Sequence, residues 1–351
     1  MEGPNQTSVS EFILLGFTDV VELQVLLSLA FTVVYMLTLL GNIGISSLVW
    51  TDYRLHTPMY FFLINLSFLN ICSSTSVTPK MLANFFSGNR AIYLSSCATQ
   101  LFCFSVFGTT ECLLLAVMAY DRYVAICNPL LYLVIINQRA CIHLVFAAYA
   151  LGFLNATVQI TLTFSLSFCR SNVIDHFFCD IPPLLKLSCS ETYINQVVMS
   201  AFASVLGMGS FGFVIASYYS IVRTILRIQS VQGRYKAFST CASHVIAVSL
   251  YFGTVFVMYV QPASSSMTQN KVLSLFYSVV NAMLNPVIYS LRNQEVTRSW
   301  RKSALQHPSA LNLSKARTIT ILTCSAASIS SELIEGKNHR HPYLLCRIHR
   351  L

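Results

Sequence analysis

The chain has 351 residues, 55% of them hydrophobic and only 10% charged, with a formal net charge of +9 and a mean hydropathy of +0.62. Soluble domains carry roughly 25% charged residues, so the composition excludes a soluble globular protein and points to an all-α membrane protein. The excess of positive charge is a topology signal, as shown below, and gives no support to a nucleic-acid partner.

In chain order, residues 1–22 hold no Lys or Arg, and the apolar run 12–17 is too short for a signal-peptide core. This segment is predicted to be extracellular, with the first apolar helix serving as the targeting signal. It contains Asn5-Gln6-Thr7, a glycosylation sequon. Asn65-Leu66-Ser67 and Asn155-Ala156-Thr157 match the same pattern inside apolar runs, out of reach of the modifying enzyme.

A bilayer core of about 30 Å needs roughly 20 apolar residues per helix. Such segments fall at 23–50, 58–80, 97–120, 140–164, 195–222, 237–260 and 271–291, predicting a seven-transmembrane helix bundle over 23–291. Residues 292–304 read as a short interfacial helix, and 305–351 as a disordered tail without helical period. No repeat of period 20–50 is present. With the N-terminus outside, all 22 Lys and Arg except Lys80, Arg90, Arg170, Lys186 and Lys271 lie on the cytoplasmic side. The positive-inside rule therefore places the N-terminus outside and the C-terminus in the cytoplasm.

Within these segments the polar residues stand out. Glu111 lies eleven residues before Arg122, roughly 16 Å up the same helix, where a carboxyl costs a few kcal/mol unless neutral or partnered. Asn42, Asn70 and Asn285 are partners if helices one, two, three and seven meet. Two readings stand side by side: a switching polar network, with sodium at Glu111 and Asn70, or a protonated glutamate hydrogen-bonded for packing. Asn285-Pro286 predicts a bend in helix seven, because proline removes a backbone hydrogen bond. Pro58, Pro79 and Pro129 read as helix boundaries. Asp121-Arg122 predicts the end of helix three at the water interface.

Of twelve cysteines, Cys97, Cys169, Cys179 and Cys189 fall on the oxidising side, where four allow three pairings. Cys72, Cys103, Cys112, Cys127, Cys141 and Cys241 read as buried small hydrophobes. His176 and Cys179 give two ligands where zinc takes three or four, so no metal and no cofactor are expected.

The stretches EFILLGF, LHTPMYFFLINLSFLNIC, TPKML, MAYDRYVAICNPLLY, CDIPPLLKLSCS, KAFSTCASH and NPVIYSLRN resemble the olfactory receptor family of rhodopsin-like G-protein-coupled receptors, over about residues 5 to 298. The resemblance implies an odorant receptor at the plasma membrane, with a small hydrophobic odorant and a heterotrimeric stimulatory G protein as partners, and more cyclic AMP as output. It implies disulfides Cys97–Cys179 and Cys169–Cys189. Arg122, with Tyr123 beside it in the motif, would meet the G protein, with Asp121 restraining it at rest. Tyr218 and Tyr289 would swing toward Arg122, and the segment from Lys236 to His244 would move outward. The odorant would lie against Phe104, Ser105, Gly108, Thr109 and Cys112, spaced as neighbouring helical ridges. Phe202, Leu206, Val255, Phe256, Tyr259 and Ser278 would form the other walls.

Four features depart from the family pattern. Asn70 stands where an aspartate is usual, leaving Glu111 as the sole carboxylate for sodium. Phe252 in LYFGT stands where tyrosine is usual, which predicts a hydroxyl missing from the pocket floor. Asn281-Ala282 replaces Thr-Pro, and the tail continues to Leu351. A transporter or channel would instead show broken helices and inverted symmetry, and the sequence has neither. No Ser-His-Asp or metal-ligand set falls on one side of the membrane, so the chain is not expected to be an enzyme. A receptor of the same fold acting outside olfaction is the alternative.

Overall fold

The computed structural model describes residues 10–18, 20–169, 171–260, 271 and 273–292. Asn5, residues 293–304 of the expected interfacial helix and the tail 305–351 lie outside them. So do the side chains of Lys236 and Tyr259, although both residues belong to a helix.

The described chain is mostly helical. A strand β1 (Glu11–Leu14) precedes α1 (Val21–Thr51), and a 3-10 turn Tyr53–Leu55 leads to α2 (Pro58–Ser87). Next come β2 (Ala91–Tyr93), α3 (Leu94–Cys127), α4 (Tyr132–Ile135) and α5 (Gln138–Phe164). The long loop that follows carries β3 (Val173–Ile174) and α6 (Ile181–Leu187). Then α7 (Tyr193–Phe202) runs through a π turn, Ala203–Met208, into α8 (Gly209–Leu226). Finally α9 (Val231–Val260) and a second π turn, Phe276–Val280, lead to α10 (Asn281–Arg292). Six helices are long and apolar enough to cross a membrane, and Leu273–Tyr289 is a shorter apolar helix.

Several helices outrun the apolar windows that announce them. The 31 residues of α1 span about 46 Å at 1.5 Å each, well beyond the hydrocarbon core. Pro58 opens α2, where its missing N–H costs nothing, and Gly88 ends it with φ 66°, a left-handed C-cap that suits glycine. Pro79 therefore lies inside α2 and marks no boundary. Likewise α3 continues to Cys127, so Asp121-Arg122 sits within the helix and not at its end.

Close approach of helices uses small residues. A Cβ on Gly41 would stand 2.9 Å from Pro286 Cβ, and one on Gly152 would stand 2.4 Å from Thr110 Oγ1. Thus α1 meets α10, and α5 meets α3, with no room for a side chain. At one end, β1 pairs antiparallel with β2 and parallel with β3. Alternation along the strand buries Phe12 and Leu14 against Leu101, Ile174 and Leu184. The sheet and loop are joined to the bundle by Cys97–Cys179, with Cys169–Cys189 closing the loop on itself. The opposite end carries Arg122.

Candidate functional site

Midway along the bundle the polar residues meet. Asn285 Nδ2 donates to Asn70 Oδ1 (3.2 Å) and to Glu111 Oε1 (3.3 Å). Asn70 Nδ2 donates to Asn42 Oδ1 (3.1 Å), and Asn42 Nδ2 to the carbonyls of Thr38 (2.8 Å) and Ala282 (3.1 Å). All four side chains are buried. Helices α1, α2, α3 and α10 are thereby linked by a chain of amides ending on one carboxyl. A buried polar network of this kind is stabilising only when satisfied, and here each amide both donates and accepts, except that Asn285 only donates.

At the Arg122 end the adjacent charges do not pair. Asp121 is buried and accepts a hydrogen bond from the Tyr132 hydroxyl of α4 (2.8 Å), while Arg122 contacts the Met59 sulfur. Among the described residues no close ion pair joins Asp121 to Arg122, and the two stand near enough to interact through their charges. Beside them, the Tyr218 hydroxyl lies 2.6 Å from His244 Nδ1. Tyr123 packs with Tyr218 against Ile221, Ile225 and Cys241. His244 Nε2 and the Tyr289 hydroxyl are buried without a hydrogen-bond partner among the described residues. Pro286 lies inside α10, directly against Gly41.

The residues expected to line a ligand site separate into two groups. Gly108 lies beside open space, since a Cβ there would meet nothing within 4 Å. Its carbonyl accepts from the Tyr251 hydroxyl of α9 (2.8 Å), and Cys112 Sγ, one turn along, lies 3.8 Å from the Leu206 carbonyl in the first π turn. Val255 follows Tyr251 by four residues on the same face of α9. Phe104, one turn on the other side of Gly108, meets Phe178 edge to face at 5.1 Å. Ser105 and Phe202 are half-buried. Ser278 is buried in the second π turn, its hydroxyl donating to the Ser274 carbonyl (2.6 Å). Both π turns thus carry expected wall residues, and π turns recur at functional sites.

Two expected wall residues lie apart from this group. Phe256 is 52% exposed and shares its face of α9 with exposed Val245, Ser249 and Gly253, so it points away from the bundle interior. Thr109 is turned toward α5, where its hydroxyl accepts from Asn155 Nδ2 (2.8 Å). Phe252 packs on Phe211 at 5.3 Å, and the hydroxyl of Tyr251, one residue earlier, is the one that reaches the Gly108 carbonyl.

The sequence reading missed the roof. His176, Phe177 and Phe178 are buried between the loop and the bundle. Phe177 stacks on Phe17 at 4.6 Å and His176 on Phe177 at 4.6 Å. His176 Nε2 lies 3.2 Å from Ser274 Oγ, and the Lys271 ammonium pairs with Asp175 at 2.5 Å. Burial first, then the nearby Lys271 charge, pushes His176 down to about 4. Phe178 N–H points at Nδ1, which leaves the proton on Nε2 to face Ser274. The sequence reading weighs His176 only as a zinc ligand with Cys179, sets that aside, and gives it no other role.

The sequence matches the family model described as olfactory receptor over residues 31–307. It is 50% identical over 303 residues to olfactory receptor 5G29 of Mus musculus, and 51% identical over 303 residues to olfactory receptor 5G3 of Homo sapiens. Each alignment covers 86% of this chain and 96% of the relative. The fold is similar to the crystal structure of squid rhodopsin, with a TM-score of 0.65 at 16% identity, covering 83% of this chain and 87% of that one. The chain belongs to the olfactory receptor family and is a multi-pass membrane protein with a G-protein-coupled receptor fold, not an enzyme.

Proposed function

We propose that this odorant receptor holds a small hydrophobic ligand inside a seven-span bundle, and that the ligand favours a state that engages a stimulatory G protein and raises cyclic AMP. Leu273–Tyr289 is the seventh span. The N-terminus and the sheet face outside the plasma membrane, with Asn5 glycosylated, and the Arg122 end faces the cytoplasm. The orientation is supported by Arg54, Arg122, Arg139, Arg223, Arg227 and Arg234, which gather at the helix ends away from the sheet.

The observation that carries the ligand reading is the open space beside Gly108, bounded by Tyr251, Cys112 and Leu206. Phe104, Ser105, Val255, Phe202 and Ser278 extend this wall, and Phe178 covers it. Such a surface is mostly apolar with few polar groups, as ligand pockets are, and burial of the ligand contributes about 25 cal/mol per Å². Arg122 is the G-protein contact. Tyr218, His244 and Tyr289 are the buried groups that rearrange, and Asn285-Pro286 is the bend that lets α10 move. The amide chain from Asn42 to Glu111 couples the two ends.

A ligand shifts the two states only through different affinities for them. The test is a cyclic AMP reporter in cells carrying the receptor at the surface, challenged with chemically grouped odorants. A response to one group, abolished by Arg122→Ala with surface delivery retained, is expected. Silence across the panel despite confirmed surface delivery, or full signalling by Arg122→Ala, contradicts the reading.

A further inference from the structure

A groove of about 600 Å³, separate from the space around Gly108, lies at the Arg122 end, between the turn after α1, the start of α2, α4 and the start of α5. We propose that it seats an anionic phospholipid, with an acyl chain in the groove and the phosphate at its mouth.

The depth is apolar. Leu55, Ile136 and Cys141 in its wall are buried, and Ile64 and Ile142 carry the lining along α2 and α5. A volume of 600 Å³ lies within the range that binds small ligands, and an aliphatic chain matches such a wall. The mouth is polar, with arginines next to it in the chain. His56, Thr57, Asn137 and Gln138 form its rim, Arg54 precedes the first pair in the chain, and Arg139 follows the second. Arg139 is exposed, and its guanidinium makes no hydrogen bond or ion pair among the described residues. The acids on this side are Asp52, whose carboxylate accepts the Arg54 amide (3.2 Å), and Asp121, buried and held by the Tyr132 hydroxyl (2.8 Å).

The start of α5 strengthens the site. This helix runs for 27 residues, and its N-cap Asn137 accepts only the Ala140 N–H. The amides of Gln138 and Arg139 have no partner among the described residues, as is usual in a first turn. A helix start of this kind favours a phosphate through its free N–H groups and its partial positive charge. Apolar depth, free amides and an arginine within two residues of each side of the rim fit a lipid that is both greasy and negatively charged. With the orientation proposed above, the groove opens to the cytoplasmic leaflet, where anionic lipid concentrates. Nanodiscs present lipid on both faces, so binding can be tested independently of that orientation.

The experiment uses the full-length receptor in nanodiscs of phosphatidylcholine with a minor fraction of phosphatidylserine, released into native mass spectrometry to count retained lipids. One phosphatidylserine per receptor is expected, retained in preference to phosphatidylcholine. Arg139→Gln and Arg54→Gln should each weaken retention about fivefold, the worth of one juxtamembrane charge, and Arg139→Lys should keep most of it. Ile64→Trp, which fills the groove, should abolish retention with both arginines in place. Equal retention of phosphatidylcholine or a sterol overturns the proposal, as does indifference to the arginine variants. Displacement of the lipid by millimolar inorganic phosphate would assign the mouth to a free anion and overturn the acyl-chain seat.

Discussion

The two ends of this receptor are held together by different means. At the sheet end, two disulfides, a three-stranded sheet, the Lys271–Asp175 pair and a stack running from Phe17 through Phe177 to His176 bind the loop to the bundle. At the Arg122 end the ties are single side-chain contacts, Tyr132 to Asp121, Arg122 to Met59 and Tyr218 to His244. Two buried polar atoms there, His244 Nε2 and the Tyr289 hydroxyl, have no partner among the described residues. Unsatisfied buried groups cost about 1–3 kcal/mol each, and the sheet end carries its own in Asn84 Oδ1 and Asn195 Nδ2, so the ends differ in their cross-links and not in unsatisfied groups. The sheet end is closed by covalent cross-links, and the Arg122 end is held, among the described residues, without one.

The comparison can be broken most severely at the closed end. Cys97→Ser opens the Cys97–Cys179 bridge, and loss of a native disulfide costs about 2–5 kcal/mol. Surface delivery, read by antibody staining of intact cells, should collapse, whereas Cys241→Ser at the other end should leave it nearly unchanged. Between the ends, Gly41→Val forces a side chain against Pro286, and overpacking of this kind costs about 1–3 kcal/mol. The melting temperature in detergent should fall, with Gly108→Ala as the tolerated control.

Acid should loosen the closed end selectively. His176 sits near 4 in the folded state against an ordinary value of 6.5, so its contribution is complete above about pH 6.5 and is lost as pH falls toward 4. At pH 5 the loss approaches 2 kcal/mol, because a charged imidazole must be held in a buried site and next to the Lys271 ammonium. The facing charges are Lys271, which opposes the proton, and Asp175, which favours it. Melting temperatures at pH 7 and pH 5 should diverge for the native receptor and converge for His176→Gln. The smallest effect belongs to the open end. Tyr132→Phe removes one hydrogen bond to Asp121, worth about 1 kcal/mol or somewhat more, and should raise ligand-free cyclic AMP without lowering surface delivery.

How much of this was legible depends on how local the signal is. The apolar segments announce themselves residue by residue, and Asn42, Asn70, Glu111 and Asn285 stand out as polar groups among them; the structure brings all four together. Helix ends were drawn short because α2, α3 and α9 continue as polar helix beyond the apolar window. Asp121 and Arg122 look like a pair in sequence but point about 100° apart on a helix. The same 100° step separates Phe256 from Val255. The sheet was invisible because β1 pairs with segments about 80 and 160 residues away. The two π turns leave no mark in composition or spacing.

The central claim is that the space beside Gly108 receives the odorant, and Gly108→Leu tests it most directly. Nothing stands within 4 Å of the added Cβ, so surface delivery and melting temperature should stay near those of the native receptor. The dose-response curve for an activating odorant should move to at least tenfold higher concentration, the equivalent of about 1.4 kcal/mol. An unchanged curve, with delivery intact, would place the ligand elsewhere and contradict the account.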